Sequence, residues 1–223
     1  MNIAWEREAA KSGKAFADAM RILPSTEIAK KPVYDAVKRA IDFCVGLFGG
    51  ILLLLPIAII AVFVRLDSNG PIIYRQERLG TDGRPFTLLK FRSMRTDAEA
   101  AGPQWAEKYD PRVTKVGRIL RKTRLDELPQ IWNILKGDMS LVGPRPERQF
   151  FYEAFEERLP GFSRRLAVKP GLTGWAQVNG GYDLRPPEKI IYDMEYIKNR
   201  SLAMDFKCVL KTVHIVFDGE GAR

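Results

Sequence analysis

Residues 43–64 read FCVGLFGGILLLLPIAIIAVFV, a run of twenty-two positions without a charge in a chain that is otherwise strongly polar. It lies too far from the N-terminus, and is too long, for the core of a secretory signal, which spans about 7–15 residues. A straight helix of this length would measure about 33 Å and would cross a bilayer. Two features favour re-entry over crossing. Pro56 interrupts the run, removing a backbone hydrogen bond and bending the helix. The flanks are also equally basic, with Lys30, Lys31, Lys38 and Arg39 before the run and Arg65, Arg75, Arg78 and Arg84 after it. Positive charge marks the cytoplasmic side, so both ends are expected there. A helix that enters, breaks at Pro56 and returns satisfies this pattern; a straight crossing does not.

Working outward, the 223 residues fit one domain of ordinary size, and the formal net charge is +9. A basic balance implies an anionic partner, whether nucleic acid, anionic lipid or phosphorylated substrate. The apolar run makes lipid the better choice, and no nucleic-acid partner is expected. Cys44 lies inside the run and Cys208 in an amphipathic segment, so both read as free thiols in a reducing compartment. The single histidine, His214, sits among apolar residues, and no Cys/His spacing suits zinc. Any metal would be hard and oxygen-ligated.

Residues 1–30 read as an N-terminal accessory segment, a weak helix with Trp5, Ala9, Phe16 and Met20 roughly on one face and a stop at Leu23-Pro24. Residues 31–223 form the main domain. Beyond the apolar run, 71–74 and 86–91 read as strands joined by a turn at Thr81-Asp82-Gly83, with Lys90 and Arg92 on one face of the second. Residues 103–114 read as a loop, 115–125 as a helix, and a further helix is expected from near Asp126 to Gly137. Residues 137–148 and 169–187 are Gly/Pro-rich and read as loops. Two helices follow, one from Pro187 to Asn199 and an amphipathic one from Leu202 to Phe217. The expected fold is α+β and mainly helical, with a re-entrant membrane helix, amphipathic interfacial helices and a small β-hairpin or sheet.

Three places invite chemistry. Arg112, Lys115, Arg118, Arg121, Lys122 and Arg124 form the densest basic segment, which could be a solvated helix face or a lipid-headgroup contact, and Asp126-Glu127 follows at once. Asp126 suits a helix N-cap. The same place offers free amides and partial positive charge for a phosphate, and neighbouring arginines would keep the carboxylate ionised and nucleophilic. In Gly143-Pro144-Arg145-Pro146, two prolines hold an arginine suited to bidentate phosphate contacts, or simply build a rigid turn. Pro170-Gly171-Leu172-Thr173-Gly174-Trp175 is a glycine-rich turn presenting an indole. Neither a Walker A pattern nor G-x-G-x-x-G occurs.

KFRSM (Lys90–Met94), DPRVTKVGRILRKTRLDELPQIWNILKGDMSLVGPRPE (Asp110–Glu147) and KPGLTGWAQVNG (Lys169–Gly180) resemble the bacterial sugar transferase family, the monotopic polyprenyl-phosphate phosphoglycosyl transferases. The resemblance runs from about Lys31 to the C-terminus. It implies an enzyme on the cytoplasmic face of the inner (plasma) membrane, seated on a helix broken at Pro56; family members often carry Ser before that proline, where this chain has Leu55. It also implies transfer of a sugar 1-phosphate from a UDP-sugar to polyprenyl (undecaprenyl) phosphate, with release of UMP. Asp126 would be the nucleophile that carries the phosphosugar and Glu127 its catalytic partner and ligand to Mg2+. Arg121 and Arg145 would contact phosphate, with Lys90, Arg92 and Arg124 as further phosphate-binding candidates. The C-terminal part resembles exopolysaccharide and capsule priming enzymes, so a hexose 1-phosphate is expected, and a homo-oligomer is allowed. Two rival classes are a non-catalytic membrane-anchored scaffold and a peripheral protein that binds anionic lipid or nucleic acid through the basic stretch.

Overall fold

The computed structural model describes residues 13–25, 27–100, 102, 110–181 and 184–218. The apolar run folds as two helices, α2 (Pro32–Leu52) and α3 (Leu54–Asp67), with a bend of 62° between them. The break falls at Leu53, three residues before Pro56, rather than at the proline itself. The offset follows from proline's geometry. Pro56 fits the first turn of α3, where an N–H is not needed, but it cannot donate to the carbonyl of Leu52 and its ring crowds that group. No single helix among the described residues is long and apolar enough to cross a membrane. Around the bend Phe48, Leu52, Leu54 and Leu55 are exposed, so the apolar tip has no protein cover.

Both legs of the bent pair are fixed at their polar ends. Arg39 of α2 donates to the carbonyls of Ile134 (2.6 Å) and Leu135 (2.7 Å), which end the helix α5 (Ile131–Lys136). Three residues on, buried Asp42 accepts the amide of Leu141 at 3.0 Å. At the far end, Asp67 accepts the amide of Val116 in α4 (Lys115–Thr123) at 3.0 Å, while Thr114 caps that helix through Gly117.

Between them stands an antiparallel hairpin, β1 (Ile73–Leu79) and β2 (Pro85–Phe91), turning through Thr81–Gly83 with Asp82 at φ 57°. The hairpin is therefore longer on its first side than strand signals at 71–74 suggest. Asn133 of α5 grips β2 through the amide of Leu89 (3.1 Å) and the carbonyl of Thr87 (2.7 Å). Two stretches expected as loops each carry a strand, β3 (Ser140–Val142) and β4 (Gly171–Thr173), which pair in parallel; the latter runs into the short helix α7 (Trp175–Asn179). Three-residue strands are too short to show a period, and their pairing joins segments some thirty residues apart.

The main core is helical. It gathers Phe155 of α6 (Gln149–Glu156), Phe162 of the following 3-10 turn, and Ile190, Met194 and Ile197 of α8 (Pro186–Asn199). It also takes Ala19 and Leu23, at 0% and 1% exposure, from the helix α1 (Gly13–Ser25). The segment read as accessory therefore contributes to the core, and α1 runs through Pro24 to Ser25 instead of stopping before it; the Trp5 and Ala9 positions lie outside the described residues. The last helix, α9 (Leu202–Asp218), is tied to α2 and α8 by buried Asp205, which accepts from Lys38 (2.7 Å), Tyr34 (2.9 Å) and Tyr196 (2.7 Å).

Candidate active site

Helix α4 stops at Arg124, whose backbone is left-handed (φ 58°), an uncommon state for a side chain larger than glycine. That residue turns the chain from α4 into the 3-10 turn Leu125–Gln130, so Asp126 and Glu127 open a tight turn directly after the basic helix. Asp126 is not an N-cap: Arg124 holds that place, and α5 begins only at Ile131. Strand β2 lies across the turn and brings Lys90 to the dyad, while the loop after β3 brings Arg145.

The two carboxylates meet different surroundings. Glu127 is buried and receives Lys90 Nζ at 3.2 Å and Arg145 Nη2 at 2.5 Å on one oxygen, with Arg145 Nη1 at 3.5 Å on the other. Burial alone would raise its pKa, but Arg145 and Lys90 together outweigh it and hold the carboxyl well below its usual range. Asp126 is equally buried at 8% exposure, yet it makes no hydrogen bond or ion pair among the described residues. Its pKa is raised, chiefly by burial, with Lys90 opposing and Glu127 reinforcing. Desolvation therefore outweighs the flanking cations in setting the direction of the shift.

Both residues face a cleft of ≈ 560 Å³ that also admits Lys90, Arg121, Arg124 and Arg112. Of the candidates singled out from sequence, Lys90, Arg121, Arg124 and Arg145 converge on the dyad. Arg92 also lines this cleft, but its guanidinium is engaged by backbone carbonyls. It lies one residue past β2 and is buried, and its guanidinium donates to the carbonyls of Pro71 (2.5 Å), Ser68 (2.5 Å) and Val64 (3.2 Å). It closes the C-terminal end of α3, whose last carbonyls have no partner within the helix. The strand ends at Phe91, so Arg92 is held by the end of α3 rather than by the alternation that sets the face of Lys90.

Behind Arg145 stands a charged network that sequence reading missed. Arg165, fully buried, donates to the carbonyl of Arg145 at 2.9 Å and pairs with Asp193 at 2.7 Å. Glu147 accepts from Arg78 at 3.1 Å and Lys189 at 3.2 Å, and Arg78 also donates to the carbonyl of Pro146. Burial pushes Glu147 up, but Lys189, Arg78 and Arg165 bring it down to about 2. The only signal in the sequence was the Glu147 that closes GPRPE. The two glycine-rich motifs, moreover, are packed on each other. A Cβ on Gly143 would stand 2.3 Å from the Lys169 carbonyl, and one on Gly174 2.1 Å from the Gly143 carbonyl, so both positions require glycine.

Among the described residues no group of three or more His, Cys, Asp or Glu stands ready to hold a metal. The dyad nonetheless fits magnesium. Mg2+ binds through one or two carboxylates and completes its shell with water and substrate phosphates. An ionised Glu127 beside Asp126 supplies that donor set.

Sequence comparison agrees with the site. The pattern of the family described as bacterial sugar transferase matches residues 33–219. An Aeromonas hydrophila protein named UDP-N-acetylgalactosamine-undecaprenyl-phosphate N-acetylgalactosaminephosphotransferase is 44% identical over 196 residues, covering 86% of this chain and 46% of the relative. A Bacillus subtilis protein, named as a putative undecaprenyl-phosphate N-acetylgalactosaminyl 1-phosphate transferase, is 52% identical over 133 residues, 60% of this chain and 74% of the relative. The UDP-glucose:undecaprenyl-phosphate glucose-1-phosphate transferase of Escherichia coli K12 is 42% identical over 204 residues, 86% of this chain and 44% of the relative. The chain thus spans less than half the length of two of these relatives. With the motif residues gathered at one cleft and the match running through nearly all of α2 to α9, the chain belongs to the bacterial sugar transferase family.

Proposed function

We propose that this protein transfers a sugar 1-phosphate from a UDP-sugar to polyprenyl phosphate, the step that primes surface-polysaccharide synthesis. One observation carries the reading: of two adjacent buried carboxylates facing a cationic cleft, Glu127 is held by Lys90 and Arg145 while Asp126 is unpaired. A carboxylate tied into ion pairs is a poor nucleophile; a desolvated, unpaired one is a better one. An oxygen of Asp126 attacks the β-phosphorus, and the bond from that phosphorus to the bridging oxygen breaks, releasing UMP. The aspartyl phosphosugar is then attacked by the phosphate oxygen of the lipid, which takes the phosphosugar and frees Asp126.

The obstacle is the approach of one anion to another. Lys90, Arg121, Arg124 and Arg145 supply fixed positive charge around the phosphates, and preorganised charge of this kind is often the largest catalytic term. Arg145 is suited to move from Glu127 onto a phosphate, since its planar fork matches either. Magnesium held at Glu127 would neutralise diphosphate charge. We further propose that the α2–α3 pair re-enters the cytoplasmic leaflet, supported by its bend, its bare apolar tip and its basic flanks.

The test is UMP release from a panel of UDP-sugars, with β-³²P donor used to look for label on the protein when lipid acceptor is withheld. Ping-pong kinetics and labelled protein are expected, and Asp126→Asn should abolish both labelling and turnover while membrane association persists. Continued turnover in that variant would return Asp126 to a structural role and remove the covalent step. The panel also reads the sugar. The relatives' names divide between N-acetylgalactosamine and glucose, whereas the C-terminal resemblance favours a hexose.

A further inference from the structure

A second cavity, ≈ 320 Å³, lies between the polar end of α2, the β1–β2 turn and the β3–β4 pair, and it shares no lining residue with the cleft. Its lining includes Ser140, which is 0% exposed and whose hydroxyl has no hydrogen-bond partner. A buried polar group left unpaired costs about 1–3 kcal/mol, so such a group signals a missing partner. Ser140 pairs with Gly171 across β3–β4, which places Lys169, two residues earlier, as its diagonal neighbour. Lys169 is half-buried and makes no ion pair or hydrogen bond among the described residues.

The other cations that line the cavity have other employment. Lys38 is paired with Asp205, Arg39 caps α5, and Arg200 donates to the carbonyls of Ile197 and Ala29. The side chain of Arg84, exposed on the hairpin turn, also has no partner among the described residues. Burial, reinforced by Arg39, pushes the Lys169 ammonium down, and the carboxylates Asp42, Asp138 and Asp35 oppose this without reversing it. Three carboxylates also line the cavity: Asp42 accepts the Leu141 amide, Asp35 lies 3.9 Å from Arg200, and Asp82 is exposed on the hairpin turn. The hydroxyl of Ser140, the ammonium of Lys169 and the guanidinium of Arg84 remain as donors, the complement of a phosphate group.

We infer that this cavity is a second anion site, in which Lys169, Ser140 and Arg84 bind a phosphate group separately from the dyad cleft. A phospholipid headgroup is the favoured source, because the α2 residues that line the cavity, Tyr34 to Asp42, lead directly into the apolar run. That preference rests on the membrane seating proposed above, whereas recognition of phosphate by Lys169 and Ser140 does not.

The experiment titrates the full chain, purified in uncharged detergent, with dihexanoyl phosphatidylglycerol in one arm and inorganic phosphate in the other. Wild type, Lys169→Gln, Ser140→Ala, Arg84→Gln and the cleft variant Arg145→Lys are compared by calorimetry. Saturable binding is expected in wild type, weakened at least tenfold by Lys169→Gln and at least threefold by Ser140→Ala and Arg84→Gln, and retained in Arg145→Lys. Arg84 lies on an exposed turn, so its variant keeps the test open even where Lys169→Gln folds poorly. Binding of phosphatidylglycerol alone identifies a headgroup site; equal binding of phosphate identifies a site for free anions. Titrations that superimpose across wild type, Lys169→Gln and Arg84→Gln, binding lost only in Arg145→Lys, or no saturable binding of either probe would overturn the inference. UMP release, measured separately, reports on the catalytic reading and is independent of these outcomes.

Discussion

Asp126 and Glu127 are consecutive carboxylates with opposite electrostatic fates, and their titration separates them. Asp126 has its pKa raised in the fold, so ionising it opposes folding at neutral pH and the cost disappears below the unfolded value of about 4. Asp126→Asn should therefore melt higher than wild type at pH 7, with the two converging as pH falls below about 4. Glu147 behaves in the reverse sense. Its pKa falls from 4.5 to about 2, so it stabilises the fold above 4.5 and that contribution is lost as pH drops toward 2. Glu147→Gln should lower stability at neutral pH by about 3–5 kcal/mol, the usual cost of breaking a buried pair, with the penalty fading at acid pH. Thermal melts across a pH series check both signs. Arg145→Lys keeps the charge but loses the fork that now spans both oxygens of Glu127. Turnover should drop at least tenfold, about 1.4 kcal/mol in barrier, with an unchanged melt; near-normal turnover would make Arg145 a turn residue. The gathering of Lys90, Arg121, Arg124 and Arg145 beside the dyad was legible because all four lie within the quoted motifs. The anchoring of Arg92 to carbonyls around the end of α3 was not legible because it depends on where a strand and a helix end, and Arg165 was invisible because nothing local marks a buried ion pair.

At the scale of elements, the apolar run was legible as helical, interrupted and basic at both ends, and its bend is present. The shift of the break from Pro56 to Leu53 is local sterics, since a proline disturbs the turn before it. Single cysteines placed near Lys31 and near Asp67 should label from the same side of intact membranes. Labelling from opposite sides would show a spanning helix instead. Pro56→Leu removes the steric cause of the break, so a fraction of molecules should then label from opposite sides. The parallel β3–β4 pair and the docking of α1 were not legible. The first needs contact between distant segments, and the second needs a partner face, on α8, that a sequence does not display.

For the whole molecule, one connection stands out: the bent apolar pair and the turn that carries the dyad are tied together. Arg39 grips the end of α5, Asp42 grips β3, and α5 continues directly from the turn that carries Asp126. On the membrane seating proposed above, the depth at which α2 rests would set the height of Asp126 above the lipid tails, and the assembly would act as a ruler. A soluble UDP-sugar can meet Asp126 at any height; a phosphate anchored to a lipid carrier cannot. Bilayers thinner or thicker than the apolar tip prefers would shift the ruler at modest energetic cost. Lipid-acceptor turnover should then peak at one acyl-chain length across a vesicle series, while labelling of Asp126 by donor alone stays flat. A second half-reaction indifferent to bilayer thickness would mean that the two parts move independently. If they move together, the membrane gauges how far the carrier's phosphate must reach.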